Sequence, residues 1–237
     1  FCMLSTDDPL FPLLPRPFSV LGAEAEAEAG RLEFMIMPVG VGSGLLCGLK
    51  PGAEVRVVGP LGHRLEDDLP AGPLVCVAGG YGVAPFLFLL EAWVRAGLRE
   101  RVAATTLIYG ARSVERLSLL ERLRATGARL ELCTDDGSLG FHGRVDACLR
   151  GRLEAGTPPM VLTCGPEAMM EAVGEVAQAA GVPARASLET VMGCGYAVCN
   201  GCAVAVDDDG EEDGYTFQLA CREGTLFDES CLHWERL

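Results

Sequence analysis

The sequence predicts an α/β protein in three parts: an antiparallel β-barrel over residues 1–69, a doubly wound parallel sheet over 70–183, and a small metal-bound domain over 184–237. Three observations carry that prediction. The first part reads as short β runs cut by Gly and Pro, the second alternates apolar runs with helical segments, and the third concentrates Cys and Gly.

Composition sets the limits. With 237 residues, 49% of them hydrophobic, the chain can bury a substantial core, and length alone allows one or two domains. Thirty glycines and an aromatic content of 6% suit a Gly-punctuated α/β protein, not a disordered chain. A formal charge of −14 argues against nucleic acid and anionic membrane surfaces as partners. Residues 72–90 carry no charge, but Gly79, Gly80, Gly82 and Pro85 interrupt them, so they read as strand, turn and helix instead of a membrane span. Of the eleven cysteines, Cys2, Cys47, Cys76, Cys133, Cys148, Cys164 and Cys231 are scattered, several in apolar runs where Cys acts as a small buried hydrophobe. An odd total without a secretory-signal pattern is expected of a reducing, cytoplasmic setting.

In the first part, Arg16–Leu21, Arg31–Pro38 and Glu54–Gly59 are the expected strands. The Ala-Glu repeat over 23–29 favours helix, but Gly22 and Gly30 bracket it too closely, and a solvated hairpin tip is expected. In the second part, Pro73–Ala78, Ala104–Tyr109, Arg129–Thr134 and Met160–Cys164 are expected strands. The helix over 166–180 has Pro166 in its first turn, one apolar face of Met169, Met170, Val173, Val176, Ala177 and Ala180, and Gly181 to end it. Such alternation implies a parallel sheet with right-handed crossovers and ligands at the C-terminal strand ends. In the third part, the acidic run 207–213 reads as a hairpin tip, and so short a module needs a bound metal centre to hold it.

The metal centre has a specific signature. Cys194, Cys199 and Cys202 give C-x4-C-x2-C, and Cys221 follows after eighteen intervening residues. This is the plant-type [2Fe–2S] spacing, in which each iron takes two thiolates. Gly193, Gly195, Ala197 and Gly201 form a loop small enough to wrap a cluster and aim amides at its sulfurs. A zinc-stabilised interaction module is the rival, but zinc ribbons favour two C-x2-C knuckles and here there is one. His63, His142 and His233 fit no Rieske pattern.

Other motifs sit at expected strand ends. Gly79-Gly80-Tyr81-Gly82-Val83-Ala84-Pro85 lets backbone approach a pyrophosphate ahead of a helix, although Pro85 departs from G-x-G-x-x-G and a plain tight turn is the alternative. Cys164-Gly165-Pro166-Glu167 and Tyr109-Gly110-Ala111-Arg112 end two further strands. Arg16-Pro17-Phe18-Ser19 combines a cation, an aromatic and a hydroxyl suited to a flavin's phosphates, ring and reactive edge, or is an ordinary barrel strand.

Taken in order with Gly40-Val41-Gly42-Ser43, Gly59-Pro60-Leu61-Gly62 and Thr134–Ser138, these motifs resemble the ferredoxin–NAD(P)+ reductase superfamily over essentially the whole chain. Within it, the C-terminal cluster module makes the sequence similar to the electron-transfer subunits of class 1B dihydroorotate dehydrogenases. The resemblance implies that Arg16, Pro17, Phe18, Ser19, Gly42 and Ser43 hold FAD, with a strand Met35, Ile36, Met37 along it. It implies that Gly79, Gly80, Gly82, Val83, Ala84 and Pro85 face the NAD pyrophosphate, and that Cys164, Gly165, Pro166 and Glu167 face the nicotinamide. No side chain is expected as a general acid or base. The implied partner is an FMN-containing catalytic subunit in a hetero-oligomer oxidising dihydroorotate to orotate, in pyrimidine biosynthesis. Related subunits serve sulfide dehydrogenases, hydrogenases and ferredoxin–NAD(P) transhydrogenases. NAD is expected over NADP because Asp135 and Asp136 would repel a 2′-phosphate, with Arg112 as the counter-argument. The family's barrels close with about six strands whereas about four precede Gly72, so the chain is expected to lack its natural start. Pro15, Met37 and Thr190–Gly193 depart from the family's usual residues.

Overall fold

The protein is described here by a computed structural model covering residues 1–7, 14–25, 29–156, 158, 160–211 and 213–237. It begins with β1 (Cys2–Thr6), β2 (Arg16–Phe18), β3 (Val20–Ala25), β4 (Gly30–Phe34), α1 (Val41–Cys47) and β5 (Val55–Val58). There follow β6 (Val75–Gly79), α2 (Val83–Arg95), α3 (Arg99–Ala104), β7 (Thr106–Ala111), α4 (Leu120–Thr126), β8 (Arg129–Thr134) and β9 (Phe141–His142). Next are α5 (Val145–Glu154), β10 (Val161–Cys164), α6 (Glu167–Ala179) and β11 (Ala184–Ser187). The last are β12 (Ala203–Asp207), β13 (Tyr215–Leu219), α7 (Ala220–Glu223) and β14 (Leu226–Asp228).

These elements form two compact units. One comprises Phe1–Arg64, Glu189–Thr225 and Arg236–Leu237, and the other Leu65–Leu188 and Leu226–Glu235. The packing therefore divides the chain differently from the sequence pattern. Strand β11, expected to open a C-terminal domain at residue 184, is an inner strand of the large sheet, and β14 returns to pair with it. The reason is local: Ala184, Ala186 and Ser187 are small enough to be buried between neighbouring strands.

In the first unit all sheets are antiparallel. Strand β1 lies between β2 and β5, while β3–β4 and β12–β13 are hairpins. Cys2, Met3 and Leu4 of β1 are its buried centre. The expected strand Arg16–Leu21 breaks at Ser19, so that β2 pairs with β1 and β3 with β4. The expected strand Arg31–Pro38 stops at Phe34, because Pro38 has no N–H for a ladder and α1 starts soon after. Helix α1 itself was not expected, since two glycines in seven residues give weak propensity. Ser43 compensates by accepting from the N–H groups of Val39 and Gly40, both at 3.1 Å. The Ala-Glu repeat enters β3, and Arg31 pairs across the hairpin with Glu24 at 3.2 Å; residues 26–28 of the tip lie outside the described residues. The acidic run spans the β12–β13 turn, closed by Asp208 N–H to Gly214 O at 3.0 Å, with position 212 outside the described residues.

The second unit is a seven-stranded sheet in the order β14-β11-β10-β6-β7-β8-β9, parallel except for β14. Every residue of β6 and β10 is buried, as strands covered on both faces require. Helix α6 keeps the expected apolar face through Met170, Val173, Val176 and Ala177. Two details differ. Pro166 is its N-cap instead of a first-turn residue, and Ala180 is exposed because the helix has already ended before Gly181 turns left-handed at φ +67°.

Candidate functional site

The four cysteines of the expected cluster come together through hairpin register and a left-handed loop. Pairing of Ala203 with Leu219 sets Cys202 beside the start of α7; Ala220 N–H donates to Cys202 O at 3.0 Å and Cys221 N–H to Cys202 Sγ at 3.5 Å. Cys194 and Cys199 lie on the loop before β12. Gly195, Ala197 and Asn200 all take positive φ there, at +86°, +62° and +54°. This turns successive amides inward: Tyr196 and Val198 N–H reach Cys194 Sγ at 3.5 and 3.4 Å, and Gly201 N–H reaches Cys199 Sγ at 3.4 Å. Ala197 N–H closes the ring on Cys221 Sγ at 3.1 Å.

Backbone N–H groups reach all four thiols: Tyr196 and Val198 reach Cys194, Gly201 reaches Cys199, Cys221 reaches Cys202 and Ala197 reaches Cys221. Among the described residues no three His, Cys, Asp or Glu side chains converge on one ion. Four thiols at C-x4-C-x2-C…C spacing suit a two-iron centre with two thiolates per iron better than a zinc ribbon built on two C-x2-C knuckles. Charge points the same way. The N–H of Tyr196, aided by Cys199 and Val198, brings Cys194 down to about 6, whereas burial and then the Cys202 thiol push Cys221 up to about 11. A bound metal centre would hold all four as thiolates.

In the same unit, the residues expected around FAD are partly gathered. A Cβ on buried Gly42 would stand 3.0 Å from Arg16 Nε, so the guanidinium of β2 lies against the first turn of α1. Arg16 Nη1 also donates to Leu14 O at 2.7 Å, which fixes its direction. Pro17, Phe18 and Ser19 are half-buried beside it. The Ser43 hydroxyl is committed to the 39–43 turn and donates to Gly40 O at 3.2 Å. Met35, Ile36 and Met37 form no strand; they follow β4 as irregular chain, tied to α1 by Cys47 Sγ to Ile36 O at 3.7 Å.

Sequence reasoning missed how the cluster loop rests on the barrel. A Cβ on Gly195 would stand 2.6 Å from Met3 Cγ and 2.9 Å from Leu61 Cδ1, and one on Gly224 3.3 Å from His63 Cβ. Met3, Leu61 and His63 thus support the cluster segment. The only signal for them was the Gly59–Gly62 motif, which suggested no such role.

In the second unit the strand-end motifs converge. Gly79 ends β6 and Gly80–Gly82 form a 3-10 turn into α2. A Cβ on Gly82 would run into the carbonyl of Cys164, and one on Gly165 would stand 3.0 Å from Gly79 N. Gly79–Gly82 therefore touches Cys164–Gly165 backbone to backbone, which only glycine permits. Val83, Ala84 and Pro85 are buried, so only their backbone can face a ligand, while Pro166 and Glu167 are exposed. Beside this, Asp136 N–H donates to Arg112 O at 3.2 Å, and the Asp136 carboxylate accepts from Ser138 Oγ at 2.6 Å, which holds it below the usual carboxylate range.

Comparison with known proteins decides the family. A protein of Desulforamulus reducens named dihydroorotate dehydrogenase B (NAD(+)), electron transfer subunit, is 33% identical over 224 residues, covering 94% of this chain and 82% of that protein. The chain belongs to this family of electron transfer subunits. Residues 76–175 match the family described as oxidoreductase NAD-binding domain. The chain is thus an oxidoreductase subunit for electron transfer, and FAD and NAD are the cofactors of its family. The fold agrees. An NADH-dependent reduced ferredoxin-NADP oxidoreductase, solved for insight into flavin-based electron bifurcation, superposes with TM-score 0.80 and 24% identity over 100% of this chain and 79% of that one. A ferredoxin NADP+ reductase from Neisseria gonorrhoeae with bound FAD and NADP gives TM-score 0.60 and 23% identity over 76% of this chain and 78% of that one. Among the described residues no helix is long and apolar enough to cross a membrane.

Proposed function

We propose that this chain carries electrons between NAD+ and an FMN-containing catalytic subunit that oxidises dihydroorotate to orotate, in the cytoplasm. The gathering of the four thiols, each with a backbone N–H directed at it, is the observation that carries this reading. When bound, FAD and a [2Fe–2S] cluster supply the exchange between hydride and single-electron transfer. Cys194, Cys199, Cys202 and Cys221 are the cluster ligands. Arg16 neutralises the flavin's phosphates beside the glycine backbone of α1, with Phe18 and Ser19 next to it. The Gly79–Pro85 backbone receives the NAD pyrophosphate, and Cys164–Glu167 borders the nicotinamide. Asp135 and Asp136 disfavour a 2′-phosphate, which agrees with the NAD(+) of the relative's name.

Among the described residues none is assigned here as a general base, and the substrate chemistry is assigned to the partner. The cluster loop offers the partner an apolar rim, with Tyr196 59% and Val198 72% exposed on either side of Ala197. The eleven free cysteines are in keeping with a cytoplasmic setting. The test is anaerobic purification with assay of iron, sulfide and flavin, then NADH oxidation by ferricyanide. Dihydroorotate oxidation is then measured with and without an FMN-containing catalytic subunit. Ferricyanide turnover alone and dihydroorotate turnover only in the complex are expected. Dihydroorotate oxidation by the isolated chain would overturn the division of labour.

A further inference from the structure

The proposed reading sets the NAD pyrophosphate at the end of β6, and the sheet fixes what stands beside it. Strands β6, β7 and β8 are neighbours, with Gly79 opposite Gly110 and Ala111 opposite Thr134. Adjacent strands lie about 4.8 Å apart, so the residues just after Thr134 stand roughly 10 Å across the strand ends from Gly79. That is the reach from a pyrophosphate, across the adenosine ribose, to a group bonded to its 2′-hydroxyl. The loop at that place is bonded into one arrangement. Asp135 N–H donates to Ala111 O and Asp136 N–H to Arg112 O, both at 3.2 Å. Asp136 Oδ1 accepts from Ser138 N–H at 2.9 Å and from Ser138 Oγ at 2.6 Å. Ser138 Oγ accepts in turn from Val114 N–H at 2.9 Å.

We propose that Ser138 is a positioning residue for cofactor choice: it aims the Asp136 carboxylate at the adenosine ribose and thereby favours NAD over NADP. The inference rests on the reading that Asp136 borders that ribose. The relay calls for a hydroxyl, because one side-chain atom must donate to a carboxylate and accept from an N–H at once. Both bonds from Ser138 end on Oδ1, and Asp136 is exposed, so Oδ2 remains for a ribose hydroxyl. The same bonds hold the Asp136 carboxyl below its usual range, which keeps it an anion. An anion fixed there accepts from a 2′-hydroxyl and repels a 2′-phosphate. Through Val114, Ser138 also ties this carboxylate to the loop that follows Arg112, the cation that would attract such a phosphate. Without the Ser138 hydroxyl, the Asp136 side chain is free to leave the ribose, and the discrimination falls.

The test measures binding of NAD+ and of NADP+ to the purified holoprotein by titration calorimetry, for wild type, Ser138→Ala, Ser138→Thr and Asp136→Asn. Ser138→Ala is expected to lower the ratio of NAD+ to NADP+ affinity about tenfold, chiefly by weakening NAD+, and Ser138→Thr to restore it. Asp136→Asn should lower the ratio at least as far. A loop merely disordered by the change would lose affinity for both cofactors alike, and equal losses in Ser138→Ala would overturn the proposal. So would an unchanged ratio in Ser138→Ala beside a lowered one in Asp136→Asn. An unchanged ratio in Asp136→Asn would instead overturn the reading that sets Asp136 at the ribose, and the role of Ser138 with it.

Discussion

The cluster loop and the nucleotide-facing strand ends are both made of glycine-rich turns, yet they are held by opposite means. At the strand ends, the turns hang from β6 and β10, in which every residue is buried, and backbone packs on backbone at Gly82 and Gly165. Around Cys194–Cys202 the chain has little core of its own. Tyr196, Val198 and Cys199 are exposed, and position depends on weak N–H to sulfur bonds and on two non-glycine residues in the left-handed region. A core holds the first geometry by itself, whereas the second, on the proposed reading, is completed by a bound metal centre.

The comparison breaks most visibly at a proposed cluster ligand. Cys199→Ser is expected to lose essentially all iron and sulfide and to loosen residues 193–202, while NADH oxidation by ferricyanide is largely spared. Iron assay and hydrogen exchange check it, and full iron content in the variant would contradict the ligand assignment. The converse variant is Gly82→Ala. The added methyl meets the Cys164 carbonyl, so a loss of about 2–3 kcal/mol in stability and of most NADH turnover is expected with iron unchanged. Thermal melting and steady-state kinetics report both.

A smaller effect sharpens the picture of the nucleotide unit. Glu229 is 8% exposed, fits against α6 only because Gly174 has no side chain there, and has one oxygen without a partner among the described residues. Burial, with Asp228 and Glu171 nearby and only the Trp234 hydrogen bond opposing, pushes its carboxyl up to about 8. Because the folded value is raised, its contribution is full below about pH 4.5, the unfolded value, and is lost as pH rises through 8. Glu229→Gln should therefore gain stability relative to wild type as pH rises, by about 1–3 kcal/mol at pH 9. Melting curves at pH 5 and pH 9 measure it, and parallel curves would show that Glu229 is already ionised. Least of all, Ala197→Gly keeps the N–H that reaches Cys221 Sγ and removes a left-handed alanine, so stability should change by less than about 1 kcal/mol. A large shift in the cluster's reduction potential on this change would mean that the loop had moved.

Legibility followed the range of the forces. Arg129–Thr134 was read as a strand from its own residues and is one, and Glu167–Ala179 was legible from apolar periodicity and Gly181. Helix α1 was not, because its residues are poor helix formers and its cap is a turn closed by Ser43. The strand expected at Met35–Met37 failed because a neighbouring Pro and helix outweighed its β propensity.

By itself the sequence determined the kinds of chemistry present: four thiols at cluster spacing, glycines where backbone must approach, and a parallel sheet from alternation. These are local, since spacing along a chain and a missing Cβ act within a few residues. Only the tertiary structure decided that residues 189–225 pack with the barrel, that β11 and β14 join the nucleotide sheet, and that Gly195 rests on Met3 and Leu61. Such contacts join residues far apart in sequence, and many pairings of small apolar side chains satisfy the same pattern. Packing without overlap or gaps selects one of them.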